Sequence, residues 1–293
     1  VRRREVIRSL EPAAQAIADL THPDDRISLF NDAGLNMAYL PSECLDAFES
    51  LGGTQRAARS RFGFESSGFY GARFKAGYVL FDAGPSCCDS LPAHGHGDIL
   101  AFEWTIGSQR VVVDAGVREY EIGPEREWNR STRAHNTVTV GDRDQCEFIR
   151  NFRVGHRAHG RCEQVDFEDD SIYVRGCYTA VSADGQVVEH SREFTATDNE
   201  IRVVDDLKSK TSEPAVARLL LHHDCMLQAT QDGLKISIGE HEVCLTSASP
   251  VKVVEAKWSP DFGTEFPTKQ IEIHYGMTPC TGEFTLRVET ETD

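Results

Sequence analysis

"HGHGDILAFEWTIGSQRVVVDAG", residues 94–116, decides how this chain is read. Two histidines and an aspartate stand at alternate positions, an apolar run follows, and a second apolar run closes on another aspartate. Successive side chains of an extended strand point to opposite faces. On the reading that the strand is unbroken, His94, His96 and Asp98 therefore share a face with Leu100, Phe102, Trp104 and Ile106. Gly107-Ser108 is a short turn signal, so the run after it returns as a hairpin partner, and Asp114 comes back to the end where His96 lies. Two imidazoles and a carboxylate buried without partners are costly. A divalent cation would supply the partner. Gly95 and Gly97 leave the other face bare, which allows a close backbone approach.

An HxH pattern alone says little. A further histidine, His135, enters the next strand in "STRAHNTVTV" (131–140). Two neutral imidazoles and one carboxylate suit zinc, with water or substrate as a fourth ligand. His96, Asp114 and His135 are the expected ligands. The plain alternative is a set of hydrogen-bonded polar residues at sheet ends, with Asp114 serving a turn.

Outward from this stretch the pattern stays β. "FTLRVE" alternates, with Phe284, Leu286 and Val288 on one face; "KQIEIHY" does the same with Ile271, Ile273 and Tyr275. "DGLKISI" follows an Asp232-Gly233 turn, and "NEIRVVDDL" and "AVARLLLHH" are further strands. Many short alternating runs punctuated by Gly, Asp and Pro predict a mainly β chain, a large antiparallel β-sandwich over residues 56–293. No sustained helix is expected there. Residues 1–55 read differently: Val6, Ile7, Leu10, Ala14, Ile17 and Leu20 recur at helical spacing. Ser42 is placed to cap a second, short helix that Gly52-Gly53 ends. This stretch is too small for a domain and is expected to be the tail of a helical domain upstream.

Composition narrows the function. The 293 residues carry a net charge of -16, with 40% hydrophobic and 27% charged residues. Such a balance excludes a general nucleic-acid binder and disfavours a polyanionic ligand unless a local cleft reverses the sign. No apolar run approaches a membrane span. The 9 cysteines are scattered without a CxxC pair and read as free thiols. The chain begins at Val1, and "VRRREVIRSL" lacks the apolar segment of a signal peptide. It reads as a piece of something longer.

The stretch 94–116, together with "WNRSTRAHNTVTVGDRDQ" (128–145), "GFYGARFKAGYVLFDAG" (68–84) and "SREFTATDNEIRVVDDL" (191–207), resembles the heparinase II/III-like family of polysaccharide lyases. The resemblance implies an N-terminal α/α toroid followed by an antiparallel sandwich, of which this chain holds the last toroid helices and the sandwich. It implies cleavage of uronate-containing acidic polysaccharides by β-elimination, with the upstream toroid supplying a tyrosine and further polar groups. By carry-over His96, Asp114 and His135 match the zinc ligands, the metal organising the site, and His94 matches a histidine that enters the cleft. The family is commonly periplasmic or secreted.

The chemistry agrees with that division. Elimination needs a base for the uronate C5 proton, a donor for the leaving oxygen and neutralisation of the carboxylate. His94 is the candidate acid/base. Arg130 and Arg133, beside His135, are candidates for meeting a sugar carboxylate, with structural arginines the equal alternative. Tyr120 is a candidate for the cleft lining, packing being the commoner role for such a residue. Trp104 and Trp128 read as core anchors, and His156 and His159 as surface residues. His222 and His223, having opposite parity, are expected on opposite faces. Two other functions stay open: a non-catalytic carbohydrate-binding or scaffold module, and a zinc-dependent hydrolase, for which Asp98 is the nearby base.

Overall fold

A computed structural model describes residues 2–231 and 233–289. Helices Arg2–Leu20 (α1) and Pro41–Ser50 (α2) open the chain. Pro41, which has no N–H to leave orphaned, stands in the first turn of α2, and Leu40 N donates to the Glu43 carboxylate at 2.9 Å. Ser42, expected as the cap, sits inside the helix and bonds Asp25 instead. Gly52, at a φ of 90°, follows the helix.

The rest is antiparallel sheet. Arg61–Phe64 (β1), Phe69–Arg73 (β2), Gly77–Asp82 (β3), Phe102–Ile106 (β4) and Gln109–Val112 (β5) form a five-stranded sheet in sequence order. Val138–Val140 (β6), Pro214–Leu220, Thr264–Met277 and Val251–Asp261 form a four-stranded one. A bridge between Val112 and Leu221 joins the two edges. Facing them is an eight-stranded sheet that includes Ser171–Val181, Val187–Thr197, Glu200–Ser209 and Cys280–Val288. One apolar core takes side chains from all three sheets: Phe81, Phe102 and Trp104; Ile271 and Ile273; Phe194, Phe284 and Leu286. This is the expected sandwich. The alternation predicted for 271–275 and 284–286 is the observed burial pattern. The Asp232-Gly233 turn falls partly outside the described residues, because Asp232 is not among them.

The expected hairpin is present, β4 pairing β5 across Gly107 at a φ of 57°. The unbroken strand is not. β4 begins at Phe102, preceded by a single 3-10 turn at Pro92–His94 and irregular backbone. Leu100 takes a φ of 66°, and its N–H goes to Asp82 O at 2.8 Å. The close approach at the glycines explains the break: a Cβ on Gly97 would lie 2.3 Å from Thr132 Oγ1. The 94–98 segment is thus shaped to fit against the loop that carries His135.

The loop between the helices covers the outer face of the five-stranded sheet. Phe30 packs with Phe62, Tyr78, Leu80 and Ala101, while Leu20 and Phe69 border them. His22 lies 2.9 Å from Glu103 Oε2 and 2.8 Å from Thr105 Oγ1 through its two ring nitrogens. That is why every residue of β4 is buried: both faces are covered. A short helix that sequence reasoning missed, Pro124–Arg130 (α3), lies between β5 and β6. All 9 cysteines are free thiols. Among the described residues no helix is long and apolar enough to cross a membrane.

Candidate active site

Asp32, on the inter-helix loop, is the hub of the site. Its Oδ2 lies 2.9 Å from His94 Nδ1 and its Oδ1 2.8 Å from His96 Nε2. Arg126, at the buried face of α3, donates to both carboxylate oxygens, at 2.8 Å to Oδ2. Backbone bonds fix the register: Asp32 N donates to His94 O (3.2 Å), and Asn31 N to Asp98 Oδ2 (2.9 Å). Burial alone would raise the Asp32 carboxyl, but the bonds from His96 and Arg126 outweigh it and hold it below the usual carboxylate range.

The two histidines differ sharply. The His94 side chain is 44% exposed, while that of His96 is fully buried. They reach the same carboxylate from a turn and an irregular segment, so strand alternation is not what brings them together. Burial pushes His96 down to about 3 despite Asp32, so its ring is neutral. His94 Nε2 has no hydrogen-bond partner among the described residues. Around it stand Tyr120 (ring centroids 5.8 Å apart) and Phe152 (6.0 Å), and Phe262 packs edge-on to Tyr120 at 4.6 Å. Phe152 and Phe262 are exposed large apolar residues.

Behind this rim lies a buried ionisable cluster. His135 Nδ1 lies 2.8 Å from Asp114 Oδ2, and its Nε2 lies 3.0 Å from Asn129 O. The carbonyl requires a proton on Nε2. Nδ1 then faces a carboxylate and holds either a second proton or a cation. Burial opposes the charged ring, yet Asp114 raises His135 to about 9. Asp98 is raised to about 6, by burial and then by Asp114, against the pull of His135. Asp82 is raised by burial and by Asp98. Three interacting carboxyl groups are thus buried together, each pushed toward its neutral form by burial.

The ring centroids of His96 and His135 are 5.3 Å apart. His96 Nδ1 and Asp98 Oδ1 are buried with no hydrogen-bond partner. This donor set fits a cation. It is not closed into a coordination sphere: among the described residues, the one group of three or more His, Cys, Asp or Glu whose ligand atoms all lie within 4.8 Å of one another is His222, His223 and Asp224. Asn136 explains why His135 lies where it does. Its side chain donates to Phe102 O and Val113 O, both at 2.9 Å, and accepts from Leu220 N at 2.7 Å, pinning the start of β6 between three strands.

The arginines separate. Arg130 is fully buried; Nε donates to Gly95 O (3.2 Å) and Nη1 to Arg150 O (3.2 Å), while Phe148 lies under its guanidinium. It clamps the loop behind the histidines. Arg133 is exposed, lies over the Trp128 ring at 5.5 Å and makes no ion pair among the described residues. Both line a cavity of about 520 Å³ with Arg143, Arg150 and Arg218. Trp104 is core, as expected, and Trp128 is partly buried. Sequence reading missed Asp32, Arg126, Asn136, Phe152 and Phe262. Only Asn136, adjoining His135, stood beside a signal.

The fold has solved relatives. The heparan sulfate lyase HepC from Pedobacter heparinus aligns with a TM-score of 0.73 at 18% identity, covering 99% of this chain and 48% of that one. A heparinase III structure aligns with a TM-score of 0.72 at 14% identity, covering 95% and 48%. A chondroitin AC lyase from Streptomyces coelicolor A3, in a mutant form, aligns more distantly, with a TM-score of 0.51 at 9% identity, covering 86% and 36%. At these identities the likeness is one of fold, and this chain spans about half the length of the heparinase structures. No curated protein sequence matches it. The family profile described as heparinase II/III-like, C-terminal, matches residues 56–287, and the chain belongs to that family.

Proposed function

We propose that this chain is the sandwich portion of a polysaccharide lyase that cuts uronate-containing acidic polysaccharides by β-elimination. The observation that carries the reading is His94: a half-exposed imidazole, fixed through Nδ1 by a buried carboxylate, its Nε2 free beside exposed aromatic rings. In this reaction a base removes the C5 proton, the C4–O4 bond breaks, a C4–C5 double bond forms and a proton reaches O4. His94 Nε2 is the proton-transfer atom on this side of the cleft, and Asp32 fixes the ring's orientation. Tyr120, Phe152 and Phe262 offer faces to sugar rings. Arg133 offers its charge to a sugar carboxylate. An upstream toroid supplies the opposite wall.

In the same reading His96, Asp114 and His135 hold a zinc-class cation. The support is the cluster of buried carboxyl groups, whose burial without a counter-charge is costly, His135 with its Nε2 already committed to a carbonyl, and the unpartnered Nδ1 that His96 has to give. The cation, when bound, neutralises buried carboxylates and fixes the segment that carries His94; proton transfer stays with His94.

The test is to incubate the intact protein, toroid included, with uronate polymers and follow the ultraviolet absorbance of the unsaturated product. Turnover lost in His94→Ala with metal content unchanged is the expected result. Metal lost in that variant would reassign the two histidines. Absence of product from every uronate polymer would favour the binding-module reading, and cleavage without unsaturation a hydrolase.

A further inference from the structure

The strand Pro214–Leu220 ends in a turn that defeats the alternation read from its sequence. His222 N donates to Val111 O at 3.1 Å and Cys225 N to His222 O at 3.0 Å. Neighbours in a strand point apart, but here the His222 and His223 rings lie 4.3 Å apart, centroid to centroid. Both rest on Trp258, at 4.7 and 5.4 Å, and His223 stacks on Phe266 at 4.3 Å. Asp224 reaches back to both: Oδ2 lies 3.5 Å from His222 Nδ1, and Oδ1 3.4 Å from His223 Nε2. One ligand atom from each of the three falls within 4.8 Å of the others. None of these side chains belongs to the His94 site.

We propose that His222, His223 and Asp224 form a second metal site, selective for a divalent transition metal of the zinc class over calcium or magnesium. Two imidazoles and a carboxylate suit zinc-class ions, whereas the hard cations take oxygen ligands. The aromatic wall of Trp258 and Phe266 holds the rings in place before any metal arrives, so few rotamers are lost on binding. The backbone N–H of Asp224 also points at His222 Nδ1, 3.3 Å away, so the turn itself fixes that ring. His223 Nδ1 is buried without a partner, and Nε2 is the nitrogen turned to Asp224. Cys225 is not part of the set: its Sγ lies 3.8 Å from Val111 O, and burial pushes its thiol up to about 12. Asp224 is exposed, so water or an outside ligand completes the coordination.

The experiment counts bound zinc. The untagged intact protein is stripped with a chelator and dialysed against micromolar zinc, as wild type, His223→Ala and Asp224→Asn. Asp224 is a surface group, so Asp224→Asn keeps the fold, which circular dichroism checks. The expected result is one zinc fewer per chain in His223→Ala and at least a tenfold weaker site in Asp224→Asn, with the wild-type site undisturbed by millimolar calcium. Equal zinc binding in all three proteins, or displacement of this zinc by calcium, overturns the proposal. The difference between variants is what is read, so the outcome is independent of lyase activity and of metal at His96, Asp114 and His135.

Discussion

Asp32 carries more of the site than any other residue, since one carboxylate orients His94, His96 and Arg126 together. Asp32→Ala removes the partner of His94, the imidazole proposed for proton transfer, and leaves a buried guanidinium without its carboxylate. Turnover of the intact enzyme is expected to fall on the order of 10²-fold, toward the lower end of what acid/base groups contribute. Steady-state kinetics would check it, a fall in kcat with little change in KM being the expected pattern. Gly97 gives a second test, of packing. A Cβ there meets Thr132 Oγ1 at 2.3 Å, so Gly97→Ala is expected to cost about 1–3 kcal/mol in denaturant unfolding, the range typical of overpacking. Short motifs in the sequence singled out His94, His96, Asp114 and His135, and the structure gathers the four into one neighbourhood. No motif singled out Asp32: it stands 62 residues from His94, in a loop with no periodicity. The structure also shows that parity arguments hold only while the strand lasts. They hold from Phe102 to Ile106 and fail at 94–98 and at His222-His223.

At the scale of elements, the loop between α1 and α2 and the short helix α3 do what sheets alone do not. The loop seals the outer face of β3 and β4 and delivers Asp32; α3 delivers Arg126, Asn129 and Arg130. Removing residues 1–40 would uncover Tyr78, Leu80 and Ala101 and strip Glu103 of His22. Such a truncation is expected to leave a five-stranded sheet that is cut rapidly in limited proteolysis, while the strands facing it stay protected. Cleavage no faster than in the longer chain would contradict the packing role given to this loop. The strands and the two opening helices were readable because their apolar periods are regular. α3 was not, because in seven residues it buries two arginines and an asparagine rather than an apolar stripe.

At the scale of the whole molecule, one buried network ties the two layers of the sandwich together. Asp205, in the eight-stranded sheet, lies 2.7 Å from His190 Nε2 and accepts from Arg192 Nε at 2.7 Å and from Tyr275 OH at 2.9 Å. Arg192 Nη1 donates onward to Leu100 O and Asn136 O, beside the proposed metal ligands. Asp205→Ala would leave a buried guanidinium unpaired, at a cost of about 3–5 kcal/mol in chemical denaturation. The network also contributes to the acid response. Burial holds His190 below the ordinary histidine range despite Asp205, so stability starts to fall as pH drops below about 6.5, where the unfolded chain binds a proton that the folded one does not. Burial would raise Asp205, but Arg192 and His190 outweigh it and hold the carboxyl low, so its contribution is full above about pH 4 and is lost below. Melting temperature is therefore expected to fall in two steps on acidification, with the lower step flattened in Asp205→Asn. In the function proposed here a cation organises the ground beside the free His94 imidazole. The most direct test is anomalous scattering at the zinc edge from zinc-replete crystals of the intact protein. A peak is expected about 2.0–2.2 Å from a nitrogen of His96, from His135 Nδ1 and from an Asp114 oxygen, with His94 uncoordinated; no peak there, or one bound to His94, would contradict this arrangement.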